Sequence, residues 1–262
     1  MSRFSGPLIL LLLGLAHAYQ DEEFQEQDGE DGEDVVDIST IILTVNNGSK
    51  ELLLEGDMLV PRTRNALKCW QKSCLWRRGA DGYVRVPYVV SREFSEQEKR
   101  MIERAMRSFH GSTCVRFVPR GNEFDYISVE NREGCFSALG RQRGRQVVSI
   151  KRRGCLYHGI IQHELLHALG FYHEQTRSDR DGFVRINWGN VEPAMAHNFH
   201  KQDTDNLNTP YDYTSVMHYG RTAFSVNGRD TITPIPDAGI QIGQRRGMSA
   251  WDIKRINILY GC

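Results

Sequence analysis

Hydrophobic and polar positions alternate through residues 83–90, a period of two that predicts a strand with one buried face. The period then changes. Ser95-Glu96-Gln97-Glu98 has the spacing of a capping box, and Ile102, Ala105, Met106 and Phe109 follow at i, i+3, i+4 and i+7, the stripe of an amphipathic helix. Short β-rich runs at 115–118, 126–130 and 146–150 predict further strands. Residues 156–169 return to a helical pattern, and 249–259 predict a third helix capped by Ser249. No internal repeat is visible. Early strands with helices packed against them place the chain in the α+β class.

The first 64 residues do not share this pattern. Arg3 precedes a short apolar run at 8–15 and the small-x-small sequence Ala16-His17-Ala18, which reads as a signal peptide, 1–18, cleaved after Ala18. The run is too short to cross a bilayer, which takes about 20 apolar residues, and no later segment is a candidate span. Residues 19–37 are acidic and poor in apolar side chains, a composition expected to stay disordered.

Charge sharpens the division. The 262-residue chain has formal net charge zero, but residues 1–64 carry 4 Lys+Arg against 13 Asp+Glu, net −9. Residues 65–262 carry 29 against 20, net +9. An acidic front made to sit on a basic body is one reading, a solvated acidic tail the other. Pro61-Arg62-Thr63-Arg64 is a basic stretch at the boundary, and Arg64–Asn65 is read as the cleavage junction of a zymogen with a propeptide, 19–64. Asn47-Gly48-Ser49 is a glycosylation sequon.

Six cysteines, at 69, 74, 114, 135, 155 and 262, all follow that boundary. An even number in an exported chain implies three disulfides, with about 15 possible pairings. Paired C-x-x-C zinc knuckles are absent from the spacings. The basic run Arg141, Arg143, Arg145, Lys151, Arg152 and Arg153 lacks interleaved aromatics, so a solvated face or an acidic extracellular partner is expected rather than nucleic acid.

The chemistry concentrates in His163-Glu164-Leu165-Leu166-His167-Ala168-Leu169-Gly170-Phe171-Tyr172-His173. Residues four apart on a helix stack on one face, so His163 and His167 present two imidazoles together with Glu164 offset beside them. Were the helix to continue, His173 would point about 120° away from His167. Gly170 offers the left-handed conformation that ends a helix, letting His173 return to complete a three-histidine site. Three neutral imidazoles suit one Zn²⁺ with an open position for water, and Glu164 can exchange the proton during hydrolysis. Leu165, Leu166, Ala168 and Leu169 are expected to bury the rest of the helix.

H-E-x-x-H-x-x-G-x-x-H followed by Ser215-Val216-Met217-His218-Tyr219 resembles the metzincin pattern. The run "HELLHALGFYHEQTRSDRD" together with "SVMHY" is similar to the astacin family, over essentially all of 65–262. The start "NALKCW" and the Cys69/Cys74 pair resemble the hatching-enzyme branch, closest to its high choriolytic type. The resemblance implies a two-lobed protease domain with its sheet in the N-terminal lobe and zinc in the cleft. It implies zinc on His163, His167 and His173, Glu164 as general base, Met217 beneath the metal and Tyr219 as a movable fifth ligand. It pairs Cys114 with Cys262 and Cys135 with Cys155, leaving Cys69 with Cys74. Leu54-Glu55-Gly56-Asp57 partly matches the family's F-x-G-D motif, with leucine for the aromatic, and makes Asp57 the propeptide's zinc switch. After cleavage, the new amine of Asn65 would lie near Glu174. The expected protein is a secreted monomeric endopeptidase, stored in granules, that acts on egg-envelope glycoproteins. The alternatives are action on other extracellular or dietary proteins, or a non-catalytic zinc-binding protein.

Overall fold

The computed structural model describes residues 37–60, 73–244 and 246–262. The expected signal peptide, residues 19–36 and the expected Arg64–Asn65 cleavage junction lie outside them. In chain order the elements are α1 (Ile38–Asn46), β1 (Leu53–Leu54), β2 (Met58–Leu59), β3 (Val84–Val90), α2 (Glu96–Arg107), β4 (Val115–Pro119) and β5 (Tyr126–Glu130). They continue with β6 (Cys135–Ala138), β7 (Arg145–Ile150), α3 (His158–Ala168), β8 (Val184–Ile186), β9 (Ile232–Pro234) and α4 (Ala250–Tyr260). Short 3₁₀ turns fill the stretch between β8 and its neighbours.

The predicted strands and helices form where the pattern placed them, within two residues. Ser95 and Glu98 make both bonds of the capping box, so α2 starts as its sequence dictates. It buries Ile102, Ala105 and Met106. Seven strands make one mixed sheet in the order β1-β2-β6-β7-β5-β3-β4. The pairs β3–β4, β3–β5 and β5–β7 are parallel, while β6 runs antiparallel to β7. One large core joins α2, α3, α4 and the sheet. A second cluster, with Phe199, Tyr211 and Tyr219, forms around the β8–β9 pair. Sheet and satellite cluster together account for the α+β architecture.

Residues 37–60, ahead of the boundary, are folded against the body. Asp37 caps α1 through the Thr40 amide, and Ile38 and Ile42 are buried in the main core. β2 then pairs in parallel with β6, Met58 opposite Ser137. The segment therefore contributes both core side chains and an edge strand to the body.

Cys114–Cys262 and Cys135–Cys155 are bonded as the resemblance implied, with Cα atoms 5.3 and 5.7 Å apart. Cys74 is also disulfide-bonded; Cys69 lies outside the described residues. Four cations of the basic run answer acids of the same domain: Arg141 with Asp125, Arg145 with Glu130, Lys151 with Glu133 and Arg152 with Glu98. No helix among the described residues is long and apolar enough to cross a membrane.

Candidate metal centre

Helix α3 lies in the core, with every residue from Gly159 to Ala168 buried. Its end is a Schellman turn: the Gly170 amide donates to His167 O at 2.9 Å, and the Phe171 amide to Leu166 O at 3.1 Å. Gly170 has φ +105, a conformation that L side chains rarely adopt. The chain turns back there, and His173, fully buried, meets the two helical histidines.

Three ring nitrogens converge. His163 Nε2 lies 3.2 Å from His167 Nε2 and 3.2 Å from His173 Nε2. Every Nδ1 faces an acceptor: Val216 O at 2.9 Å for His163, Phe171 O at 2.8 Å for His167, and Glu55 Oε2 at 2.7 Å for His173. Acceptors there hold a proton on each Nδ1 and turn the three Nε2 atoms towards one another. Such an arrangement repels itself unless a cation lies between. Tetrahedral Zn–N bonds of about 2.0–2.1 Å set ligand nitrogens about 3.3 Å apart, so the spacing fits that ion. Asp57 joins the set, and the ligand atoms of the four residues lie within 4.8 Å of one another.

Asp57 Oδ2 is 2.9 Å from His163 Nε2 and 3.2 Å from His173 Nε2; Oδ1 lies 3.4 Å from His167 Nε2 without a hydrogen bond. Burial raises this carboxyl, but the His173 and His167 charges and the hydrogen bond to His163 outweigh it and hold it well below the usual range. Burial likewise lowers His173, yet Asp57 and then Glu55 push it up to about 9. For His167 burial wins, and its imidazole falls to about 4. Glu164 is fully buried with neither oxygen partnered. Burial first and Asp57 second raise it well above the ordinary carboxyl range. A buried, unpaired carboxyl is expensive and needs a reason.

Local sequence also builds the supporting shell. Asp252, in the capping box of α4, accepts from Ser215 Oγ at 2.6 Å and the Val216 amide at 3.0 Å. That fixes the turn whose Val216 carbonyl orients His163. Met217, 3% exposed, lies in the same core cluster as Leu165 and Leu166, and its carbonyl takes the Glu174 amide at 3.0 Å. Tyr219 is buried with its ring centroid 4.6 Å from that of His173, and its hydroxyl donates to the Glu55 carbonyl. His218 Nδ1 meets Tyr219 O at 2.7 Å, while Tyr211 Oη meets His218 Nε2 at 2.7 Å.

Glu174 is buried against two arginines. Arg255 bonds it twice, at 2.6 and 2.9 Å, and Arg177 stands 3.4 Å away. A cavity of about 340 Å³ opens beside it, lined in part by Arg177, Asp203, Asp252 and Arg255. Asn65, its expected partner, lies outside the described residues, as does Arg64. Asn47 is the exposed C-cap residue of α1.

Sequence reasoning missed Glu55, Asn46 and Arg255. Asn46 closes α1 and binds both backbone groups of Cys135, N–H and C=O, at 2.7 Å each. It also donates to Gly56 O at 2.8 Å. A helical signal was present around it, in Asp37 followed by Ile38, Ile41, Ile42 and Val45. Gly56 is required twice over: its φ is +80, and a Cβ there would sit 2.3 Å from Leu43 Cδ2.

The family model described as Astacin, a peptidase family, matches residues 72–261. High choriolytic enzyme 1 of Oryzias latipes is 60% identical over 260 residues, covering 97% of this chain and 96% of its own length. Low choriolytic enzyme of the same fish is 52% identical over 262 residues, covering 97% of each. A solved structure of high choriolytic enzyme 1, described as a hatching enzyme zinc-protease from medaka, is 63% identical with TM-score 0.73. It covers 76% of this chain and 100% of that one. Myroilysin, 17% identical with TM-score 0.52, covers 73% of this chain and 97% of its own and shares the fold.

Proposed function

From the premise that this chain belongs to the astacin family of peptidases, we propose a secreted zinc endopeptidase made as a zymogen and directed at the egg envelope. The peptidase assignment follows from membership and from the relatives named as choriolytic enzymes. The observation that carries the zinc-dependent hydrolysis is the convergence of three Nε2 atoms beside a buried carboxyl without a partner.

His163, His167 and His173 would hold one zinc ion, which when bound supplies Lewis-acid polarisation of a carbonyl and acidifies water. Glu164 takes a proton from the attacking water and returns it to the leaving amine. Its lack of any other hydrogen bond leaves both oxygens free for that exchange. Tyr219, freed from Glu55, offers its hydroxyl to the developing negative charge on the substrate carbonyl. Met217 packs below the histidines and keeps their helix in place.

Residues 19–64 act as the pro-segment and 65–262 as the protease. Asp57 puts a carboxylate where the histidine nitrogens meet, and β2 covers the edge of β6, where the Ser137 amide donates to Asp57 O at 3.1 Å. Cleavage after Arg64 and release of the pro-segment open that edge, whose free backbone groups can pair with an extended substrate. The cavity beside Glu174 gives the new Asn65 amine an acidic neighbour. Disulfides and the read signal peptide support secretion, with storage in granules before release. The egg-envelope substrate rests on the names of the relatives.

Glu164→Gln in the processed enzyme is the test. Metal content should match wild type by elemental analysis, while hydrolysis of a quenched peptide falls about 10²–10⁴-fold. Near-normal turnover in a pure preparation would sink the mechanism. Isolated egg envelope treated with processed enzyme should release peptides that a chelator suppresses; an untouched envelope would remove the substrate assignment alone.

A further inference from the structure

The three histidines differ in what holds their outer nitrogens. His163 and His167 lean on Val216 O and Phe171 O, both within the protease body. His173 alone leans on a carboxylate from the pro-segment, Glu55. With Asp57 at its Nε2, the same imidazole is gripped on both nitrogens by residues two apart in one turn.

Glu55 is fully buried and connects separate parts of the cleft. Oε2 takes His173 Nδ1 at 2.7 Å, with the His173 amide at 3.4 Å and Thr176 Oγ1 at 3.3 Å. Oε1 accepts from Gln202 Nε2 at 2.8 Å, and the backbone carbonyl accepts from Tyr219. Its φ is +50, a left-handed conformation disfavoured for a residue with a side chain. Backbone strain at a buried residue persists where surrounding contacts over-determine it. Here those contacts are the donors of the cleft wall.

We propose that Glu55 is a second latch of the zymogen, anchoring the β1–β2 turn in the cleft through His173 Nδ1 and Gln202 independently of Asp57. The proposal rests on the zymogen reading above. Asp57 covers the inner nitrogens; Glu55 holds the turn that carries Asp57. Processing removes both together, and of the three ligands only His173 then loses its Nδ1 acceptor.

The experiment uses the full-length chain purified before processing, as wild type, Glu55→Ala, Glu55→Gln and Asp57→Ala. Amide hydrogen exchange at Ser137, whose N–H donates to Asp57 O, reports whether β2 leaves β6, with no reliance on activity. Glu55→Ala should speed that exchange at least tenfold and raise hydrolysis of a short peptide by the unprocessed chain at least tenfold. Glu55→Gln keeps an acceptor for His173 and should fall between. Exchange in β5 should not change, and processed enzyme from the Glu55 variants should match wild type in kcat/KM, because the processed chains are identical. Exchange at Ser137 within twofold of wild type for Glu55→Ala overturns the latch. Wild-type silence of unprocessed Asp57→Ala instead counts against the Asp57 switch, and an inactive processed enzyme against the peptidase mechanism; the exchange readout judges Glu55 in either case.

Discussion

Arg255→Met isolates what ties the C-terminal helix to the metal centre. Arg255 is 6% exposed and Glu174 3%, and the guanidinium also donates to Thr209 Oγ1 at 2.9 Å and Pro210 O at 2.7 Å. Truncating one partner of a buried pair costs about 3–5 kcal/mol, because the other charge is left unpaired. Arg177 and the Asp212 amide, 2.7 Å from Glu174 Oε1, remain in place and bring the figure to the low end, about 3 kcal/mol. For a domain of this size that is a fall in Tm of about 6–12 °C. Burial raises the Glu174 carboxyl despite both arginines, so the pair does not recover its full desolvation cost. The double variant Glu174→Met with Arg255→Met should therefore regain most of the loss and come within about 1 kcal/mol of wild type. Thermal and urea unfolding of the full chain at neutral pH measure both. A loss under about 1 kcal/mol for Arg255→Met, or additive losses in the double variant, would refute the reasoning.

Three further outcomes are expected. Asn46→Ala strips both backbone groups of buried Cys135 of their partner, at about 1–3 kcal/mol in total once water reaches them, so trypsin should cleave the full chain ahead of the protease domain roughly 10–100-fold faster; an unchanged rate would show that Asn46 does not hold residues 37–60 on the body. Gly170→Ala forces a Cβ into φ +105 and to 3.3 Å from Leu75 Cδ2, costing about 1–3 kcal/mol and at least about tenfold in zinc affinity by chelator competition. Equal affinity would show that His173 does not depend on this turn. Burial holds the His218 imidazole at about 4 against about 6.5 when unfolded, so the unfolded chain takes up the proton first as pH falls. Its contribution of about 3 kcal/mol is complete above about pH 6.5 and is lost on descending to about pH 4. Urea unfolding of wild type against His218→Asn should differ in slope across that window, and parallel curves would disprove it.

What could be read from the chain follows the range of the interactions concerned. The caps at Ser95 and Ser249, the stripe of α2 and the turn at Gly170 are set by groups within a few residues of one another, so spacing reveals them. The pairing of His163 with His167 is of the same kind, since helix pitch alone stacks residues four apart. The family resemblance added the disulfides Cys114–Cys262 and Cys135–Cys155, which pattern alone left among many pairings. The helix α1 was legible in its apolar spacing but hidden by acidic neighbours, because composition reports an average and burial depends on particular positions.

The sequence by itself determined the α+β class, the caps, the helix stop and the residue types able to bind a metal, because these depend on local backbone geometry and on side-chain chemistry. Tertiary structure decided the rest. Val216 O reaches His163 across 53 residues, Glu174 meets Arg255 across 81, and Glu55 meets His173 across 118. No periodicity records such contacts, since each needs two distant segments packed to within hydrogen-bond distance. The same holds for β2 on the edge of β6: a two-residue strand has too few backbone bonds to form alone and exists only where a partner edge awaits it.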